Sequence, residues 1–598
     1  VKLLQRLRHN GWDWHAAWQN LNAHLNTLKL GERVLSNNAG GISDANEAVD
    51  FMMVTHHGLL ASGVPSKQPN KPFQKNFELL PTHHAHVREH LPHDDSQFEC
   101  AGDLPEYLFK DYQHKMQRLQ RQSIEHIKDA QQAVDYWSAL AIHSRAALIF
   151  ADHTVSAIQL APSDDHAALF ANTTMADGKR RLNQKLAWHL DQVGQRAARV
   201  AVQMLTDLHL GGLSEPSVER MMAKSLGRFV WQNKAAQALQ KIQRQHPDQP
   251  ALVLNIAGTG SGKTRMNLRA MCCLCPENPR VAIALSLRSL TLQTGSALKK
   301  SISLNQDELA VVIGDKTVVQ LYEAQQQAYA DDDENLIEPE IQAWGTADLL
   351  PEWLSPLFET RNKQTNQSAQ AILTSPILVS TIDYLIAAGE PNQQGHHVKA
   401  LLRVMSSDLI LDEIDGYEPP ALVAVLRLIQ TAAFYGRRVV CSSATLSYSI
   451  AERIEQAFDA GLRLRQAVYA RPQSAIYAIL DDQVAPKVWL QPQGASGQFQ
   501  QYYQQHLQQL SLRLADQPIY RLAQLQAVSA TATIEDWQHA VLKACQDLHH
   551  DHAWQHQSSK KRLSMGLVRV AHVKTAIDLA RFLARHYPEA RVACYHAN

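Results

Sequence analysis

The sequence predicts a multidomain fold: an all-α domain over residues 1–212, then two α/β lobes over 213–470 and 471–598, the second incomplete. Three observations carry that expectation. At 598 residues and 45% hydrophobic composition, the chain exceeds what one core can hold and has the apolar content for several. Its first third reads as helices of 3.6-residue period, as in Ile124 to Ile149 and Arg181 to Leu205, and closes at Gly211-Gly212. From about 213 to 450 short β-type runs alternate with helical segments, the pattern of a parallel sheet covered on both faces.

Within the first α/β lobe, the run Ala251 to Ile256 leads into AGTGSGKT, which opens a helical segment from Thr264. That is the strand-loop-helix setting of a phosphate cradle. Gly258, Thr259, Gly260, Ser261 and Gly262 would turn backbone N–H groups toward a polyphosphate, Lys263 would neutralise its terminal charge, and Thr264 would ligate magnesium. The implied cofactors are ATP and Mg2+. The run Leu409 to Leu411 ends in DEID, where Asp412 would complete the magnesium shell, Glu413 would orient and deprotonate the attacking water, and Asp415 would pair with a basic neighbour. Arg438 to Ser442 precedes the small hydroxyl-rich turn Ser443 to Thr445. Each motif alone has bland readings, but the three in this order spell a nucleic-acid-dependent ATPase.

Two further groups stay open on residues alone. Gln232, in RFVWQ, is placed to bond an adenine edge beside Phe229 or Trp231, and reads equally as part of a packed aromatic helix. Arg288, Thr291 and Thr381 follow or end strands where polar groups would touch a nucleic-acid backbone, and read equally as loop and helix-cap chemistry. Lys and Arg number 58, as do Asp and Glu, so nucleic-acid binding has to come from a local channel and not from net charge. The seven cysteines are scattered and read as reduced, no apolar run reaches a membrane span, and a cytoplasmic location is expected. The acidic stretch Glu323 to Gln370 reads as a solvated insertion.

The second lobe is expected to start after Arg471-Pro472-Gln473-Ser474 with the strand Ala475 to Leu480. It continues through a Gln-rich helical insertion at about 498–555 and resumes at Gly566 to Leu583 with a last strand at Arg591 to Tyr595. The chain starts on Val1 and stops at Asn598 before such a lobe closes, so a fragment of a longer protein is expected.

Histidines number 29 and concentrate at THHG (55–58), THHAH (82–86) and ADH (151–153). Spacing alone leaves them as surface pairs or metal ligands. Ordered segments along the chain, VTHHGLLASG, SRAALIFADHTVSA, QKLAWHLDQV, NIAGTGSGKTRMN, LSLRSLTLQTG, LILDEIDGYEP, SSATLS and VACYHAN, resemble the helicase-nucleases of type I-F CRISPR systems. The resemblance implies an HD-type nuclease domain before two RecA-like lobes of a superfamily 2 helicase. It implies His56, His57 and Asp152 as ligands of a divalent transition metal of the Mn, Fe, Ni or Co class, with His83, His84 and His153 weaker candidates. It further implies 3′-to-5′ travel on single-stranded DNA, recruitment by an RNA-guided surveillance complex, an adaptation integrase as a further candidate partner, and no membrane. The family's earlier histidine and HD dipeptide have no match before His56, while His93-Asp94 comes later. Two rival functions remain: a DNA or RNA remodelling helicase without nuclease activity, and a nucleotide-gated clamp without turnover.

Overall fold

The runs ALVLN, VAIAL, ILVST, DLILD and RVVCS are each buried at every position, which only strands covered on both faces can achieve. The structure is a computed structural model. It describes residues 127–162, 170–176, 178–285, 308–313, 340–343, 350–358, 367–389, 394–417, 419–515, 526–529, 531–557 and 560–594, with isolated positions at 304 and before 127. The chain divides into two compact units, one extending to Gln517 and one starting at Pro518.

In chain order the first unit carries α1 Ala130–Ser156, β1 Thr173–Ala176, β2 Lys179–Leu182, α2 Leu186–Thr206, α3 Glu215–Met222, α4 Trp231–Gln245, β3 Ala251–Asn255, α5 Lys263–Leu274 and β4 Val281–Leu285. It continues with β5 Leu309–Ile313, β6 Glu340–Ala343, α6 Gln367–Thr374, β7 Ile377–Thr381, α7 Ile382–Ile386, α8 Gln394–Ser406 and β8 Asp408–Asp412. It closes with α9 Pro419–Phe434, β9 Arg438–Ser442, α10 Tyr448–Tyr469, β10 Ser474–Leu480, β11 Lys487–Pro492 and α11 Ser496–Ala515.

Nine strands form one sheet in the order β11-β10-β3-β9-β8-β4-β7-β5-β6. The seven from β10 to β5 are mutually parallel, and antiparallel β11 and β6 close the edges. Side chains alternate between two cores, as a strand's period of two demands. Leu252, Leu254, Leu409, Leu411 and Val439 join the core under α1, α8, α9 and α10; Val253, Ile410 and Val440 join the one under α3, α4 and α5. This α/β architecture fits the RecA-like fold expected of the first lobe.

The expected start of a second lobe is corrected here. β10 lies beside β3 in parallel register, Tyr477 opposite Leu252 and Ile479 opposite Leu254. Its residues 475–480 are buried on both faces, and such a strand needs the interior of a sheet; β11, at the edge, alternates exposed and buried. The turn after α10, with Ala470 in the left-handed region, therefore returns the chain to the same sheet. The Gln-rich stretch is likewise split: Phe499 and Tyr503 of α11 belong to the first unit's core.

The expected all-helical N-terminal region contains a hairpin. β1 and β2 pair antiparallel with Ala176 opposite Lys179, and Gly178 turns at φ +72°. Asp-Gly between two short runs is a hairpin signal that the helical periodicity of its flanks outweighed. The second unit carries α12 Ile534–His552, the short pair β12 Trp554–Gln555 and β13 Arg562–Leu563, and α13 Val573–His586 around Leu542, Leu579 and Leu583. Among its described residues no parallel sheet forms, and 591–594 are not a strand.

A buried guanidinium ties the parallel layer to its helices. Arg403, fully buried on α8, donates from Nη1 to the carbonyls of Ile372, Leu373 and Ser375 and from Nη2 to those of Val281 and Pro376, at 2.6–3.2 Å. Ile372 and Leu373 close α6, Ser375 and Pro376 lead into β7 and Val281 opens β4; the Pro376 carbonyl also accepts the Val281 N–H and that of Leu373 also accepts from Arg280, so Arg403 adds donors at the joint of these elements. Replacing it by an apolar chain removes five buried hydrogen bonds at once. We expect Arg403→Met to lower unfolding stability by about 3 kcal/mol or more in urea titration; a loss below about 1 kcal/mol would show the carbonyls are satisfied without it.

Candidate nucleotide site and a histidine-carboxylate pair

The loop from β3 to α5 is shaped by two left-handed glycines, Gly260 at φ +76° and Gly262 at φ +82°. A Cβ on Gly262 would lie 2.7 Å from Gln232 Nε2 and 3.1 Å from the Phe229 ring, so both conformation and space demand glycine. Gln232 is buried, and Nε2 donates to the carbonyls of Ser261 (3.3 Å) and Gly262 (3.1 Å) while Oε1 accepts from Ser225 Oγ (2.8 Å). Trp231 Nε1 donates to the Ser261 carbonyl at 3.1 Å. In this structure the Gln232 amide braces the loop between β3 and α5, adding a donor at the Ser261 carbonyl and at that of Gly262, which also accepts the Met266 N–H.

Parallel pairing aligns the motifs. Asn255 at the end of β3 sits opposite Ser442 of β9, which sits opposite Asp412 of β8. The Ser442 hydroxyl donates to the Asp412 carboxylate, which also accepts the Glu413 N–H at 3.1 Å. Glu413 is in the left-handed region at φ +55°, a strained turn for a non-glycine residue at a site of this kind. Its carboxyl is pushed above the ordinary glutamate range, first by desolvation and then by Asp412 and Asp415, with Lys263 pulling it back. Among the described residues no basic group pairs with Asp415; it accepts the Thr445 hydroxyl, while Thr445 N–H donates to Ser443 Oγ at 3.1 Å. The Ser443 N–H in turn donates to the Asn255 carbonyl at 3.1 Å.

Asn255 and Asp482 escaped the sequence reading. Asn255 Nδ2 donates to Asn267 Oδ1 on α5 (2.7 Å), and its Oδ1 accepts the Ala257 N–H (3.3 Å). Asp482, just past β10, accepts the Gly258 N–H at 2.6 Å. An Asn at a strand end is a legible polar intrusion in a buried run. Asp482 was not legible, because its strand had been given to another lobe.

Of the nucleic-acid candidates, Arg288 and Thr291 lie outside the described residues, and Thr381 is buried at the start of α7 instead of lining a surface. Of the metal candidates, His56, His57, His83 and His84 lie outside them, as does His93-Asp94. Asp152 is on α1, and its Oδ1 faces His189 Nε2 of α2 at 3.1 Å; His189 stands in the quoted QKLAWHLDQV and had been given no role. Among the described residues no group of three or more His, Cys, Asp or Glu could hold a metal, and no helix is long and apolar enough to cross a membrane. Cys272 and Cys273 are free, buried thiols, pushed up to about 12 by burial.

No protein-family model matches the chain. Over 488 residues it is 31% identical to "CRISPR-associated nuclease/helicase Cas3 subtype I-F/YPEST" of Pseudomonas aeruginosa, covering 76% of this chain and 43% of that protein. The protein of the same name from Pectobacterium atrosepticum is 29% identical over 497 residues, with the same coverage. The chain thus spans under half the length of these relatives. Structures of T. fusca Cas3 and Cas3-ATP align with TM-scores of 0.31 and 0.28 at 18% and 19% identity. They cover 56% and 47% of this chain and 32% and 28% of theirs, too weak a likeness to carry the fold.

Gly262→Ala is expected to cut nucleotide affinity at least about tenfold, through the strained φ and the displaced Gln232 amide. Titration with a fluorescent ATP analogue reads this directly; unchanged affinity in a folded variant would mean the loop does not cradle phosphate.

Proposed function

Because the chain is a homologue of the Cas3 nuclease/helicases of subtype I-F, we propose that it is the central part of an ATP-driven single-stranded DNA translocase coupled to a metal-dependent DNA nuclease in CRISPR interference. The observation that carries this reading is the convergence of Lys263, Asp412-Glu413 and Ser443-Thr445 at the carboxyl ends of three adjacent parallel strands. Ligands bind at that edge in open α/β sheets.

In the proposed mechanism ATP enters over the Gly258–Thr264 loop, where Lys263 and the N–H groups beyond Gly258, whose own N–H is held by Asp482, bind its phosphates. Thr264 and buried Asp412 would hold magnesium, and a carboxylate already oriented by Ser442 suits that ion; when bound it neutralises phosphate charge. Glu413, raised toward a working base, takes the proton of the attacking water. Ser443 and Thr445 connect the site to the segment entering α10, the route by which hydrolysis would reach the rest of the protein. On the DNA side, backbone contacts would come from the Arg288, Thr291 and Thr381 region, with the strand delivered by an RNA-guided surveillance complex. Asp152 belongs to the nuclease side.

Lys263→Ala in the full-length protein is expected to abolish ATP hydrolysis and spare cutting of already single-stranded DNA, and Asp152→Ala to do the reverse. Loss of both activities in each variant would rule out separate sites. ATP binding without DNA-stimulated turnover in the wild type would favour the nucleotide-gated clamp, and turnover without metal-dependent cutting the simple helicase.

The pH profile offers a second check. Glu413 must be ionised to accept a proton, so turnover falls as pH drops through its raised value, above the ordinary glutamate range. Asp415→Asn removes one of the charges that raise it, so the acid limb should move to lower pH. A limb that stays fixed would mean that Glu413 is not the titrating base.

A further inference from the structure

Hydrogen-bond accounting around His189 fixes what its ring offers to Gln184. Gln184 is fully buried, and its Nε2 donates to the carbonyls of Val155 and Ile158, both at 2.7 Å, at the carboxyl end of α1. Two carbonyl acceptors settle which end of the amide carries nitrogen. Gln184 Oε1 is therefore the atom that faces His189 Nδ1 at 2.8 Å, and an amide oxygen can only accept. The ring proton is on Nδ1. In the neutral ring Nε2 then presents a lone pair, and it presents it to the carboxylate oxygen of Asp152 at 3.1 Å.

Two acceptors facing each other do not attract. A cation shared between them does, and the distance suits it: two adjacent ligands each about 2.1 Å from one ion at a right angle lie about 3 Å apart. The surroundings have the form of a prepared ligand. Metal-binding imidazoles almost always donate their second N–H to an oxygen that fixes tautomer and tilt, and Gln184 does this here. Gln184 is itself anchored to the helix that carries Asp152, through the α1 carbonyls and through Asn172, whose Oδ1 accepts the Gln184 N–H at 3.2 Å. Donor and acceptor sit on one rigid corner between α1 and α2.

We propose that His189 Nε2 and Asp152 are a ligand pair for a divalent cation of the Mn, Fe, Ni or Co class, with Gln184 as the residue that positions the imidazole. One nitrogen and one carboxylate oxygen suit those ions and leave the other positions to water and further donors. The inference rests on the nuclease reading of Asp152, and adds a ligand and a positioning residue to it.

Mn2+ binding to the full chain, read by electron paramagnetic resonance titration and by nitrogen modulation of the bound ion's spin echo, tests it. His189→Ala is expected to weaken Mn2+ binding at least about tenfold and to reduce the nitrogen modulation; Gln184→Leu, which keeps the imidazole, should weaken it by about 10- to 100-fold. His189→Gln serves as the replacement if the alanine variant does not fold. Binding lost in Asp152→Ala but unchanged in both His189 variants would overturn the pair and leave the metal reading standing, His189 then being a doubly protonated ion-pair partner. No Mn2+ uptake by the wild type, or uptake untouched by Asp152→Ala, would overturn both.

Discussion

The site depends on one constraint: β3, β9 and β8 are consecutive, parallel and in register, so Asn255, Ser442 and Asp412 form a row across the sheet. Strands lie about 4.8 Å apart, so chemistry separated by more than 150 residues in sequence meets within two strand spacings. The row is wired as well as adjacent. Asn255 alone bonds α5 through Asn267, the loop through Ala257 and the Ser443 turn through its carbonyl. A one-residue shift of β9 or β8 would turn Ser442 away from Asp412, and one of β3 would take Asn255 out of the row; each would put a polar side chain into the opposite core.

The second condition is that the glycine-rich loop between β3 and α5 be held in one shape. A loop of Gly and small residues has little stiffness of its own. Here its outward carbonyls are taken by Trp231 and Gln232 and its first N–H by Asp482, so the support comes from α4 on one side and from the turn after β10 on the other. Gln232 cannot do this at no cost: with its oxygen on Ser225, its amide has little left to offer a base.

Where a signal was local, the sequence carried it. The glycines announce a left-handed turn, which Gly260 and Gly262 make, and Lys263 opens α5 directly after it. The strands around Asp412 and Ser443 were legible because a fully buried run between polar turns has few other fates. β10 was misassigned because SAIYAIL is what either an interior strand of the first lobe or the first strand of another would look like; only partner choice separates them, and that is tertiary. Thr381 is ambiguous in the same way, since a threonine at a strand end is as good a buried helix start as a DNA contact. Asp152 was found through resemblance, whereas its partner 37 residues on was not, because nothing in the spacing says that two helices cross there.

That crossing also decides how the histidine-carboxylate pair relates to the ATPase lobe. α1 is not hung on a linker. Asp135, buried on α1, accepts from Arg463 of α10 at 2.9 Å, and His143 of α1 bonds the α2 carbonyl of Ala201 (2.7 Å) and the hydroxyl of Tyr435, just past α9 (3.2 Å). Ala139, Ala146, Ile149 and Phe150 of α1 complete the same core as Leu252 and Leu411 of the sheet. Asp135 is buried and Arg463 half-buried, so the pair belongs to a packed joint and is not a surface contact. α10 begins three residues after Thr445, and so the helix that grips α1 is the one that leaves the turn bonded to Asp415. A rearrangement of that turn on hydrolysis would act on α10, and through Arg463 and Asp135 on the helix bearing Asp152, along bonded contacts and not across a flexible gap.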